Sequence, residues 1–377
     1  MKITHLVPTL HPAGPEIGLV DLATVAPRAG LEIAVIALST TSDTEQVSAL
    51  RKLGVPVTEL GLAPWDPRAV PRTVRALREQ RAQLVHTHLP PADVVGAAAA
   101  MRLRIPAIST LYRVGSAMAD RGDRIRRTAR LAARQRFMTR TIAISQVQQD
   151  WYRGLAVPGP LNTTVETVLV RNGVVVRGPV DPAERVRSRA ALGVPDTEVL
   201  AVHIAPMRRE QGQDHGHELL LDACESLPDE LPLVVALAGD GPLRPYLESR
   251  VDETEQLDAR VRFVHRHTEE ARLLAAADVV LHTARSGAAP TRLLRAMAAG
   301  LPVVSTRVGG LPEIVTAATG QLVPLDPHRL ADALVAMTED ADRRSALGTA
   351  ARKRYLADFE AVGWAKRLAE VYSSTLP

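Results

Sequence analysis

Short unbroken apolar runs rich in valine and isoleucine alternate with helix-patterned segments along nearly the whole chain, and that alternation admits few folds. ITHLVP, EIAVIAL, QLVHTH, PAIST and TIAIS come first, with helical stretches between them. Strands that are apolar on both faces must be covered on both faces, and parallel neighbours need a crossover, here a helix. After RNGVVVRGPVDPAE the rhythm restarts with VLAVHIA, LPLVVALAGDG, VRFVH, DVVLHTA and LPVVST. The pattern predicts an α/β protein of two doubly wound domains, residues 1–176 and 177–354, joined near residues 173–183 where Gly and Pro cluster. The amphipathic tail, 355–377, is expected to pack back on the first domain. Ligands of open α/β sheets sit at the C-terminal ends of the strands, so the expected site is a central cleft that the two domains face.

A chain of 377 residues suffices for two such cores. Aromatic residues are only 3%, too few for a base-stacking platform, and the net charge of +4 is mild, so no nucleic-acid partner is expected. The single cysteine, Cys224, excludes an internal disulfide, fits a reducing compartment and reads as a small core residue. MKITHLVPTLHPAG lacks the apolar run of a signal peptide, and no segment has the ~18 apolar residues of a membrane span, so the chain is expected to be cytoplasmic.

Three His-x-His pairs occur, His86 with His88, His215 with His217 and His265 with His267. On a strand this spacing puts both rings on one face, but zinc wants three or four convergent ligands, so no metal is expected. His88, at a strand end, is read instead as an acceptor-side contact. The basic stretch Arg121 to Arg140, with Phe137 and Met138 interleaved, reads as a solvated face or as a weak peripheral membrane contact. Walker, GxGxxG and GxSxG signatures are all missing, which removes the usual marks of an ATPase, a nicotinamide dehydrogenase and a hydrolase.

AMAAGLPVVSTRVGGLPEIV, with AGDGPLRPYLE, the early loop PAGPE and RNGV, resembles the retaining family 4 glycosyltransferases across essentially the whole chain. The resemblance implies the GT-B fold of two Rossmann-like domains, a nucleotide-diphosphate sugar as co-substrate in the second and a small-molecule or glycan acceptor in the first, with no other cofactor. Pro290 can open a helix whose free N–H groups attract a diphosphate, and Gly300 can end it. The resemblance places Gly241, the Gly309–Gly310 turn and Glu313 near the donor, and Gly14 and Tyr112 on the acceptor side.

Five family side chains are replaced. Gly287 and Arg295 stand where the family usually has two carboxylates, Pro206 and Gln211 where it has a basic pair, and Tyr112 where a histidine is expected. Glycine contacts through backbone alone and arginine accepts no hydrogen bond, so catalytic residues stay unassigned. Arg208 and Arg209 either form a shifted diphosphate clamp or lie in solvent. Arg292 and Arg295, three apart, can share a helix face and make the donor pocket basic. Two readings remain: a transferase with a rebuilt donor site, or a pseudo-glycosyltransferase that binds a ligand or stabilises a protein partner.

Overall fold

The computed structural model describes residues 1–11, 14–40, 44–63, 65–112, 134–154, 165–176, 180–208, 215–264, 268–285 and 291–377. The chain divides into two compact units, Met1–Val175 with Asp358–Pro377, and Val176–Ala357.

The first unit is a seven-stranded parallel sheet in the order β3-β2-β1-β4-β5-β6-β7. Its strands are β1 Lys2–Val7, β2 Glu32–Ala37, β3 Val57–Glu59, β4 Leu84–His88, β5 Ala107–Leu111, β6 Arg140–Ala143 and β7 Glu166–Leu169. Helices α1 Gly14–Val25, α2 Glu45–Lys52, α3 Ala69–Glu79, α4 Ala92–Leu103 and α5 Gln146–Arg153 connect them. Side chains alternate across the pleat, so Ile3 and Val7 of β1 enter one core and Leu6 the other. Side chains cap α2 and α5, Thr44 accepting from the Val47 N–H and Ser145 from the Gln148 N–H.

The second unit repeats this plan as a six-stranded parallel sheet in the order β10-β9-β8-β11-β12-β13. The strands are β8 Val199–Ile204, β9 Leu233–Ala238, β10 Val261–Val264, β11 Val279–His282, β12 Val303–Thr306 and β13 Gly320–Val323. Between and after them run α6 Pro182–Ala191, α7 His217–Glu225, α8 Arg244–Asp252, α9 Glu255–Arg260, α10 Glu270–Ala276, α11 Thr291–Ala298, α12 Pro327–Glu339 and α13 Ala341–Arg354. Cys224 is buried in α7 among Leu219, Leu220 and Leu221, and burial pushes its thiol up to about 12. A structural cysteine with so few thiolates is inert.

The tail is not one helix. A π-helical turn, Tyr355–Phe359, precedes α14, Ala361–Ser373. Ala361, Trp364, Ala365, Leu368, Val371 and Tyr372 recur at three- and four-residue spacing and enter the core of the first unit beside Leu19 and Leu22 of α1. Most of the basic stretch 121–140 lies outside the described residues. Within the part that is described Arg134 is not solvated: it is buried against Asp93. Among the described residues no helix is long and apolar enough to cross a membrane.

Candidate functional site

Each sheet has its switch point where consecutive connections depart in opposite directions, between β1 and β4 in the first unit and between β8 and β11 in the second.

In the second unit the loops leaving β8 and β11 are tied together. Thr283, the residue after β11, donates its hydroxyl to the Gly216 carbonyl at 2.9 Å and lies 3.1 Å from His203 Nε2 of β8. Gly216 caps α7 with φ +73°, and its Cα approaches Thr283 so closely that a Cβ would stand 1.8 Å from the Thr283 carbonyl oxygen. Gly241, expected near the donor, has a local reason as well. A Cβ there would meet the Met207 carbonyl oxygen at 2.4 Å, and that carbonyl accepts from the Leu243 N–H at 2.9 Å. Gly241 therefore holds the β9 loop against the segment that carries Arg208.

Arg208 is exposed, and Arg209, Gln211, Gly287 and Pro290 lie outside the described residues. Arg292 and Arg295 share a face of α11, and both reach one carboxylate, that of Glu270 on α10. Glu270 Oε2 is 3.5 Å from Arg292 Nε, and its Oε1 is 3.6 Å from Arg295 Nη1. Arg292 also donates to the carbonyl of Ile204, the last residue of β8, at 3.2 Å. The guanidinium is thereby held at the carboxyl end of the switch-point strand. The expected basic pocket is thus partly compensated by Glu270. Gly309 has φ +50° and is exposed, while Gly310 is buried and precedes a 3-10 turn, Leu311–Glu313. The Glu313 carbonyl accepts from Arg354 Nη2 at 2.7 Å.

His203 is fully buried, and burial, reinforced by the neighbouring His217, holds its imidazole well below the ordinary 6.5. The unfolded chain takes up a proton near pH 6.5 that the folded chain refuses. This contribution to stability is complete above pH 6.5 and is lost as pH falls towards the folded value, at about 1.4 kcal/mol per pH unit. Urea unfolding at pH 7 and pH 5 should show wild type losing about 2 kcal/mol more than His203→Gln. Parallel losses would mean that His203 protonates within the fold.

At the switch point of the first unit stand His5 of β1 and His86 and His88 of β4, with Gly14 opening α1. His88 is buried and lies between two partners, His5 Nδ1 at 2.8 Å from its Nε2 and the Tyr112 hydroxyl at 2.7 Å from its Nδ1. His86 bonds Tyr372 of α14 and Thr110 of β5, each at 2.7 Å. Burial pushes His5 down to about 3, and burial with neighbouring imidazoles lowers His86 and His88 well below the usual value. All three rings are neutral at pH 7. Glu16, in the first turn of α1, is buried with no partner for Oε2 among the described residues, and desolvation raises its carboxyl to about 7. Tyr112 is held protonated by burial and by the charge of Glu16.

Of the sequence candidates, the fold brings His88 and Tyr112 into direct contact and sets Arg292 beside Arg295. Of the other two pairs, His215 and His217 straddle the start of α7 rather than sharing a strand face, and His265 and His267 lie outside the described residues. His5, Glu16, His203, Glu270 and Tyr372 were missed. His5 and His203 left only the signal of a histidine inside an apolar strand run, ITHLVP and VLAVHIA.

Residues 12–174 match the model described as Glycosyltransferase Family 4, and residues 199–340 match Glycosyl transferases group 1. A D-inositol 3-phosphate glycosyltransferase of Kineococcus radiotolerans is 28% identical over 98% of this chain and 93% of its own length. N-acetyl-alpha-D-glucosaminyl L-malate synthase of Bacillus anthracis is 27% identical over 49% of this chain and 48% of its own length. As in that case, the chain matches the first curated relatives over about half their length. Anabaena Alr3699/HepE, solved with UDP-glucose, superposes with a TM-score of 0.82 at 24% identity over 99% of this chain and all of that one, which shows a shared fold. With both models in order and the same architecture along the chain, this protein belongs to the family 4, group 1 glycosyltransferases of GT-B fold.

Proposed function

We propose that the protein transfers a sugar, or a sugar-like cyclitol, from a nucleoside-diphosphate donor bound by the second unit to a small-molecule or glycan acceptor bound by the first. The observation that carries this reading is the arginine at the second switch point. Arg292 is fixed over the end of β8 by the Ile204 carbonyl and by Glu270, where an open α/β sheet receives its ligand. A guanidinium held there stabilises the charge that develops on a departing diphosphate, and it does so without a carboxylate nucleophile. Positioning and electrostatics then supply the rate, and transfer proceeds with retention at the anomeric carbon. Relatives support the donor class: HepE has been solved with UDP, with UDP and glucose, and with UDP-glucose. Gly14, His88 and Tyr112 are assigned to the acceptor side, and Arg208, Arg209, Gly241, Arg295, Gly309, Gly310 and Glu313 to the donor side.

A thermal-shift series with UDP, GDP, ADP and dTDP and their sugar conjugates tests the donor. One nucleotide should raise Tm, because a ligand at a hundred times its Kd adds about 2.7 kcal/mol to stability. Arg292→Ala should shrink that shift. No shift with any nucleotide at millimolar concentration would count against donor-dependent transfer and favour a non-catalytic binding module.

A further inference from the structure

The sequence supplies two histidines on one face of β4, and the sheet supplies a third. β1 pairs with β4 in parallel with His5 directly opposite His86, so a third imidazole arrives on the same face from the neighbouring strand. The ring centroids are 5.0 Å apart for His5 and His86, 5.1 Å for His5 and His88, and 4.3 Å for His86 and His88. One nitrogen from each ring can be chosen so that all three lie within 4.8 Å of one another. The three residues are 0%, 2% and 4% exposed, and the parallel ladder fixes their backbones.

The outer contacts fit ligation as well. A metal-bound imidazole binds through one nitrogen and is oriented by a hydrogen bond at the other. Here Tyr112 meets His88 Nδ1 and Tyr372 meets His86 Nδ1, each at 2.7 Å, which turns both Nε2 atoms the other way. His88 Nε2 faces His5 Nδ1 at 2.8 Å, one nitrogen carrying a proton and the other a lone pair. His5 Nε2 is buried without a hydrogen-bond partner among the described residues. Beside the rings lies a cavity bordered also by Thr110, Tyr112 and Asn172, with ≈ 20 Å³ for the centre of a water-sized occupant. That is room for one or two waters, or for a single ion and one exchangeable ligand.

We propose that His5, His86 and His88 form a three-histidine site for a divalent transition metal, of which Zn2+ is the best match, with the fourth position on the cavity side. Neutral imidazoles suit this ion, and three ligands with one open position are a common zinc arrangement. No proton need be lost on binding. In the metal-bound form the proton shared between His5 Nδ1 and His88 Nε2 moves to the far nitrogen of its ring, so that His5 carries its N–H at Nε2 and His86 and His88 donate from Nδ1 to Tyr372 and Tyr112, which frees His5 Nδ1, His86 Nε2 and His88 Nε2. Tetrahedral ligands at the usual Zn–N distance lie about 3.3 Å apart, so the His5 and His88 rings must part by about half an ångström, and His86 must give up its bond to Thr110.

The test uses the full, untagged chain stripped with a chelator. Zn2+ is titrated against a chromophoric chelator, and Co2+ is titrated as the spectroscopic probe, independently of any transfer reaction. One equivalent of Zn2+ should bind, and Co2+ should show the strong visible bands of four-coordination, both lost in His5→Gln and in His88→Gln. Tyr112→Phe should keep the Co2+ bands and weaken Zn2+ affinity about 10–100-fold, the effect of losing an orienting partner. Failure of the wild type to hold Zn2+ against the chelator, or binding that persists unchanged in His5→Gln, would overturn the proposal.

Discussion

Asp93→Ala is expected to cost the first unit about 3–5 kcal/mol, the loss associated with removing one partner of a buried ion pair. Asp93 is fully buried in the first turn of α4, and Arg134 is nearly so. The Asp93 Oδ1 accepts from the Thr87 and Ser109 hydroxyls at 2.7 Å each, and Oδ2 lies 2.7 Å from Arg134 Nη2. Arg134 in turn donates from Nε to the Ser109 hydroxyl at 2.9 Å and from Nη2 to the Thr110 carbonyl at 3.3 Å. One carboxylate thus joins α4, β4, β5 and the segment that leads into β6. Alanine would leave a guanidinium buried without its charge partner and the Ser109 hydroxyl without its acceptor, while Thr87 keeps only its longer bond to the Ile108 carbonyl at 3.3 Å. Urea unfolding followed by circular dichroism measures the loss. The double variant Asp93→Leu with Arg134→Met should recover most of it, because the penalty lies in the orphaned charge rather than in a missing attraction. A single-variant loss below about 1 kcal/mol would show that water reaches Arg134.

The second large effect is expected at Gly216. Gly216→Ala meets two costs together, a left-handed backbone worth about 1–2 kcal/mol and a backbone collision worth about 1–3 kcal/mol. The collision is with the Thr283 carbonyl oxygen, 1.8 Å from the new Cβ, and no rotamer change relieves it. Gly193→Ala separates the two costs, because Gly193 has φ +65° with nothing within 4 Å of its Cβ position. Gly193→Ala should therefore lose only the backbone part, and Gly216→Ala clearly more. Because Gly216 and Thr283 tie the β8 loop to the β11 loop, Gly216→Ala should also abolish the nucleotide-induced Tm shift that Gly193→Ala preserves. Equal losses of stability with an intact nucleotide shift would contradict this account of the switch point.

How much of this was legible beforehand depends on the range of the interaction concerned. The two parallel sheets were readable because buried strands carry their signal locally, in runs such as EIAVIAL and LVVALA. The family was readable because its glycine turns are also local, each within one loop. Arg292 and Arg295 were correctly set on one face of a helix, since a spacing of three settles that without any partner. Their common carboxylate was not readable. Glu270 lies on α10, twenty-two residues before Arg292, and only the tertiary fold of the second unit brings its carboxylate there.

The histidines mark the boundary most clearly. The sequence alone determined that His86 and His88 share a face, because the pleat repeats every two residues. It could not supply His5, which joins them only through the pairing of β1 with β4, nor Tyr372, which reaches His86 only because α14 returns to the first unit across 286 positions of sequence. Periodicity, turn chemistry and strand character are properties of neighbouring residues, and the sequence determined them. Burial, the neutral state of the imidazoles, the Asp93–Arg134 pair and the clash that reserves position 216 for glycine are sums over residues far apart in the chain, and only the tertiary structure decided them.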